Sequence, residues 1–188
     1  MPAYHVNGVL VTGHLHVVIS AASTQTLKGT LAGVKVTIVC EEAHGLGTVN
    51  NLHAMGESLG TLHYLKCTVT APANQFCLVH NELVITEPTK NLLLLLPATG
   101  GYRVDFSPET GTIYTTIIID NCTTSALNGS FPVEGSAGAE AKSSSSILEF
   151  TATSSELTFG GNAATYTGKL HVLTLGGEPV LIENGNLP

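Results

Sequence analysis

The stretch Gly101-Tyr-Arg-Val-Asp-Phe-Ser-Pro-Glu-Thr-Gly-Thr-Ile-Tyr114, continued by Thr115-Thr-Ile-Ile-Ile-Asp120, decides the fold class. Val104 and Phe106 alternate with Arg103 and Asp105, so an extended chain carries the apolar pair on one face and the charged pair on the other. Pro108 presets the backbone of a turn and Gly111 supplies a permissive position before the next apolar run, which predicts a β-hairpin. Thr115 to Ile119 is β-branched throughout and apolar enough to predict cover on both sides.

The same grammar extends in both directions, with β-branched, alternating segments separated by Gly, Pro or Asn. Strands are predicted near 6–12, 14–20, 26–31, 34–40, 58–65, 67–70, 76–79, 82–86, 92–96, 102–106, 112–120, 130–134, 147–153, 165–175 and 179–183. Leu92 to Leu96, bounded by Pro88 and Pro97, has the length of a strand and reads as a buried one, with an exposed adhesive edge as the alternative. Glu41-Glu42, beside Gly45 and Gly47, reads as loop, and Gly160-Gly161-Asn162-Ala163-Ala164 as a β-turn. A flexible surface loop is expected over 135–146, where Gly135 to Lys142 leads into Ser143 to Ser146. The expectation is an all-β, β-sandwich-like fold with antiparallel strands and two disulfides, one domain over 1–188.

Composition narrows the function classes. The charged share is 11%, less than half the usual ~25%, so Thr, Ser, Asn and Gly supply much of the polar surface. Seven Lys plus Arg against fourteen Asp plus Glu give a net charge of −7. The basic stripe that a phosphate backbone needs is missing, which argues against a nucleic-acid partner. No run approaches the roughly 20 apolar residues of a membrane helix. Met1-Pro2-Ala3-Tyr4-His5 has neither a basic nor an apolar region of a signal peptide, so a secreted form would have lost its leader.

Cys40, Cys67, Cys77 and Cys122 include no C-x-x-C pair, which disfavours structural zinc and thioredoxin-type chemistry. An even count in a Thr- and Gly-rich β chain points to disulfides and an oxidising compartment, with four buried free thiols as the alternative. Three pairings exist. Cys67–Cys77 is favoured because Pro72 and Asn74 lie between them and can turn the chain back, leaving Cys40–Cys122 to join distant strands.

Chemistry-bearing patterns are sparse. His14 and His16 at i, i+2 project from one face of a strand, the geometry of a two-histidine metal site, with His5, His63, His80 or His171 as a third ligand; sheet-packing histidines are the plainer reading. No nucleophile elbow, acid–base pair or phosphate loop is recognisable, so no catalytic residue and no cofactor is expected. Tyr4, Tyr64, Tyr102, Tyr114 and Tyr166 are the candidates for stacking sugars. Asn121-Cys122-Thr123 and Asn128-Gly129-Ser130 match the glycosylation sequon.

Several segments resemble a group of predicted secreted, β-rich proteins of actinobacteria. They are Ala3-Tyr4-His5-Val6-Asn7-Gly8-Val9, Gly33-Val-Lys-Val-Thr-Ile-Val-Cys40, Asn121-Cys122 followed by Gly129-Ser-Phe-Pro-Val-Glu-Gly135, and Leu157-Thr-Phe-Gly-Gly-Asn-Ala-Ala-Thr-Tyr-Thr-Gly168. The resemblance covers most of the chain and implies secretion and disulfides; it brings no assigned activity. The segment from Glu178 to Pro188 departs from the Trp-containing ending of that group. The expected role is an extracellular or cell-surface structural protein that self-associates through strand edges into an oligomer or filament. An extracellular glycan- or protein-binding module is the alternative.

Overall fold

The computed structural model describes residues 2–51, 58–96 and 100–184. The strands are β1 Pro2–Val6, β2 Val9–Leu10, β3 Leu15–Ala21, β4 Gln25–Leu31, β5 Val34–Val49, β6 Ser58–Gly60, β7 Leu62–Ala71, β8 Leu78–Val79 and β9 Leu83–Ile85, followed by β10 Thr89–Leu96, β11 Gly101–Pro108, β12 Ile113–Asp120, β13 Gly129–Ala141, β14 Ile147–Phe150, β15 Glu156–Phe159, β16 Asn162–Thr174 and β17 Val180–Asn184. Every ladder between them is antiparallel. The expected all-β, antiparallel, two-disulfide fold is present.

Three strands are long: β5 has 16 residues, β13 and β16 have 13 each. At about 3.3 Å per residue, β5 alone spans roughly 50 Å if straight. The short strands lie end to end along these long ones. β3 pairs with the second half of β5 (Leu15↔Val49 to Ser20↔His44) and β4 with the first half (Gln25↔Cys40 to Leu31↔Val34). β11 and β12 share β13 in the same way, and β14 and β15 run between β13 and β16. Each pair is thus one stave with a jog in it, at 22–24, 109–112 and 151–155.

This corrects the predicted hairpin at 101–114. Its two arms are strands, but β11 and β12 do not pair with each other; the segment from Glu109 to Thr112 continues the stave in one direction. True hairpins occur where two residues take positive φ, at Asn7-Gly8, Ala32-Gly33 and Gly160-Gly161. Such turns match the twist of the strands they join. The β-turn expected at 160–164 is therefore present in its glycines, while Asn162 to Ala164 already belong to β16.

In one half of the molecule the ladder returns on itself, in the order β5, β4, β16, β15, β13, β12, β8, β7 and back to β5. In the other half it runs β5, β3, β16, β14, β13, β11, β10, β6 and ends at β6 among the described residues. A second, three-stranded sheet in the order β17, β1, β2 covers that half. Its Tyr4, Val180 and Ile182 face Ile19, Val104 and Phe106 of the interior. Asn51 fastens this lid like a piece of backbone: its Oδ1 accepts the Tyr4 N–H (2.8 Å) and its Nδ2 donates to the carbonyls of Tyr4 (2.9 Å) and Val11 (3.0 Å). Inside, Phe106 packs on Phe150 (5.7 Å between ring centres) and Phe150 on Tyr166 (4.6 Å).

The alternation expected in β11 holds, with Tyr102, Val104 and Phe106 buried. Three other expectations are corrected. Residues 135–141, expected in a flexible loop, are the second half of β13, whose cover comes from β11 on one side and β14 and β15 on the other. Glu41-Glu42 and Gly45 to Gly47, expected in a loop, lie inside β5, where β3 and β7 flank the backbone. Thr115 to Ile119 is covered on one face only, since Ile118 is 43% exposed.

The disulfide pairing also differs from expectation. Cys40 bonds Cys67, the two facing each other in register across β5 and β7 with Cα atoms 3.9 Å apart. Cys77 bonds Cys122 at the loop between β12 and β13. The chain does turn after Pro72, but β8 is drawn into the ladder with β12, so Cys77 meets Cys122 and not Cys67. Register outweighs closeness in sequence.

Where β14 gives way to β15, Ser154 fills the gap. Its hydroxyl accepts the Thr151 N–H (2.8 Å) and donates to the Gly138 carbonyl, and the Gly138 N–H reaches Ser155 Oγ (3.2 Å). A Cβ on Gly138 would collide with the Ser154 carbonyl oxygen. Gly138→Ala is expected to destabilise by about 2 kcal/mol or more in urea unfolding, because backbone must move to admit the methyl group. Gly176→Ala, whose Cβ would meet only Thr174 Oγ1 at 3.6 Å, is expected to stay within about 0.5 kcal/mol of the native protein.

Candidate functional site

The histidines do not converge. His16 lies on the outer face of β3 with His14 just before it, and both are exposed. Of the third ligands considered, His5 is buried beside Glu183 (3.9 Å), His63 contacts Thr61 Oγ1 (3.2 Å), His80 contacts Asp120 (2.9 Å), and His171 stands in register with Ser20. Among the described residues no three His, Cys, Asp or Glu side chains gather where they could hold a metal ion.

The remaining polar candidates have structural work. Glu42 is ion-paired with Lys66 (2.5 Å), and the hydrogen bond and charge of that lysine hold its carboxyl below the ordinary range. His44 approaches the same carboxylate (3.6 Å). Asn128 closes a ring with Cys122, accepting its N–H (2.8 Å) and donating to its carbonyl (3.0 Å), while Asn121 Nδ2 donates to the Phe76 carbonyl (3.1 Å). Both sequon asparagines thereby shape the loop around the Cys77–Cys122 bond.

All five tyrosines are buried, so none offers an exposed ring to a sugar. Tyr166 donates to Gln25 Oε1 (2.7 Å) and lies 3.2 Å from the Tyr64 hydroxyl, with the two rings edge to face. Burial pushes the hydroxyls of Tyr4, Tyr64, Tyr114 and Tyr166 above the ordinary phenol range, and mutual proximity adds to this for the last three.

Closure of one half of the ladder leaves few free strand edges, because a sheet that returns on itself has none. The most apolar edge belongs to β10. Along its whole length β10 pairs with β11, from Thr89↔Pro108 to Leu96↔Gly101. On its other side β6 meets it at Thr89 and Lys90 only. From Leu92 to Leu96 the second edge has no ladder partner among the described residues.

The side chains of β10 change character along the strand. Thr89 and Asn91 are buried, with the Tyr4 hydroxyl reaching Asn91 Oδ1 (3.4 Å), and Leu93 packs on the core. Leu94 is 37% and Leu95 43% exposed, while Leu92 and Leu96 are half-buried. The run is the strand that was expected, but its burial is partial: β10 emerges from under the lid as it approaches Leu96. Pro97, expected to end it, lies outside the described residues. The run of leucines was the sequence signal for this edge; that one side lacks a ladder partner among the described residues follows from the topology.

No protein-family model, curated protein or solved structure matches the chain.

The buried tyrosines make stability pH-dependent. Each stays protonated in the fold at pH values where the unfolded chain, with phenol pKa near 10, has lost its protons. Stability is therefore complete below about pH 10 and falls as pH rises above it. Tyrosinate absorbance is expected to appear together with loss of the β circular-dichroism signal. Full titration near pH 10 with the sheet signal intact would contradict this arrangement.

Proposed function

We propose that the protein is an extracellular structural subunit that self-associates through the edge of β10 from Leu92 to Leu96, without catalysis. The observation that carries this reading is that the five consecutive leucines, Leu92 to Leu96, lie on an edge with no ladder partner among the described residues. Natural proteins guard such edges with lysines, prolines or short strands. Here the only charge on the strand is Lys90, at the end where β6 already pairs. A second copy adding its own β10 would satisfy the backbone groups and cover Leu94 and Leu95 in one step.

Two further features support the reading. The low share of charged residues leaves few of the side chains that guard strand edges, and two disulfides suit an oxidising, extracellular setting. The resemblance to secreted actinobacterial proteins points to the same compartment. The rival glycan-binding reading rested on exposed tyrosines and has lost that footing, since the rings are buried.

Light scattering over a concentration series, with negative-stain microscopy, tests the proposal. The native oxidised protein is expected to form a defined oligomer or filament, and the double variant Leu94→Lys/Leu95→Lys is expected to remain monomeric with its unfolding midpoint little changed. A native protein that is monomeric at every concentration, or a double variant that assembles like the native one, would overturn it.

A further inference from the structure

Histidines stand closer across a ladder than along a strand. His44 on β5 and His63 on β7 are register partners, so both project from the same face of the sheet, and both are exposed. Directly opposite residues of an antiparallel pair have Cβ atoms about 4.5–5.5 Å apart, whereas His14 and His16, two residues apart in one extended segment, are separated by about 6.6 Å. The next histidine in that row is His171. Ser20 of β3 stands between it and His44, which puts it two strands, or about 9.5 Å, away.

The surroundings of the pair suit a ligating role. Glu42 shares the outer face with His44, and its Oε2 lies 3.6 Å from His44 Nε2. A carboxylate only accepts, so it favours the ring hydrogen on Nε2 and leaves the lone pair on Nδ1. Metal-ligating histidines regularly have such a carboxylate behind them. Lys66 holds Glu42 from its other oxygen (2.5 Å). His63 Nε2 contacts Thr61 Oγ1 (3.2 Å), on the far side of the pair from Glu42. That contact is neutral and exposed, and water replaces it when the ring turns toward His44.

We propose that His44 and His63 form a two-imidazole site for a divalent late transition metal, copper(II) before the others. Ligand number and type select the ion. Among the described residues no third His, Cys, Asp or Glu completes a set of ligands, so water fills the remaining positions. Nitrogen and water ligands in a tetragonal arrangement suit Cu²⁺ or Ni²⁺, and Cu²⁺ stands highest in the affinity order of the divalent series. Structural zinc, which takes four protein ligands, and calcium, which takes oxygens, do not fit the pair. A bound ion would tie β5 to β7 farther along the ladder that Cys40–Cys67 already ties. The site uses no residue of β10 and does not depend on self-association.

Copper(II) chloride titrated into the tag-free, oxidised protein near neutral pH, read by calorimetry and electron paramagnetic resonance, tests this. One ion per chain is expected, with nitrogen couplings from two imidazoles. His44→Ala and His63→Ala are each expected to weaken binding by roughly 100-fold, because the second imidazole of a pair binds intramolecularly. His171→Ala and the double variant His14→Ala/His16→Ala are expected to keep the native affinity. A native protein that binds no copper, binding that survives either His44→Ala or His63→Ala, binding that is lost with His14 and His16, or one ion per two chains would each overturn the proposal. Should an alanine variant not fold by circular dichroism, His44→Gln or His63→Gln takes its place with the same expected loss.

Discussion

Backbone hydrogen bonding at the joints between collinear strands is the constraint on which the rest of this structure depends. Three long strands are each flanked by short strands placed end to end, and at every such joint the ladder lacks a rung. A buried N–H or carbonyl left without a partner costs more than an average hydrogen bond returns. The chain meets this with side chains that imitate backbone. Gln25 bonds the Ser23 and Lys169 carbonyls at the joint of β3 and β4, and Ser154 bonds Thr151 and Gly138 at the joint of β14 and β15. Thr86 accepts the Leu62 N–H and returns its own N–H to the Leu62 carbonyl beside β7. Asn51 does the same for the lid. Neighbouring glycines make room, since a Cβ on Gly168 would strike Gln25 and one on Gly138 would strike the Ser154 carbonyl.

These joints explain how far the sequence could be read. The period-two alternation of Tyr102 to Phe106 and the β-branched content of Ile113 to Ile119 identify strands directly, because burial on one face imprints itself on every second residue. Partnership leaves no such imprint. Pro108 and Gly111 look the same whether the chain reverses or merely steps sideways, so a stave with a jog was indistinguishable from a hairpin. The small residues Gly135 to Ala141 suggested a loop for a related reason. They are small because β11, β14 and the Ser154 turn crowd the strand, and crowding by distant segments is invisible locally.

The disulfides and the edge show the same division. Four cysteines in this composition were enough to indicate two bridges, yet the pairing follows from the register of β5 on β7 and of β8 on β12. Leu92 to Leu96 was recognisable as a strand, but its solvent exposure depends on where the ladder stops. The buried tyrosines were legible only as aromatic residues. Their convergence brings together positions as far apart as Gln25 and Tyr166, through contacts that no short-range pattern encodes.

The closure of one half also has a kinetic meaning. The hairpin joining β4 to β5 and the one joining β15 to β16 bring together residues near in sequence, whereas the β4–β16 ladder at Leu27 and Tyr166 joins segments further apart than the β8–β12 rung at Val79 and Ile119 does. Non-local pairings must meet loop-closure entropy before their contacts form, so the β4–β16 ladder is the expected late step in folding. Cys77–Cys122 lies beside the β8–β12 rung, with 45 residues of separation against 27 for Cys40–Cys67. In a chain-entropy picture the longer loop gains more from its cross-link. The ring thus has two seams, and the covalent fastening sits at the one of shorter reach, as a hoop is riveted at one of its overlaps.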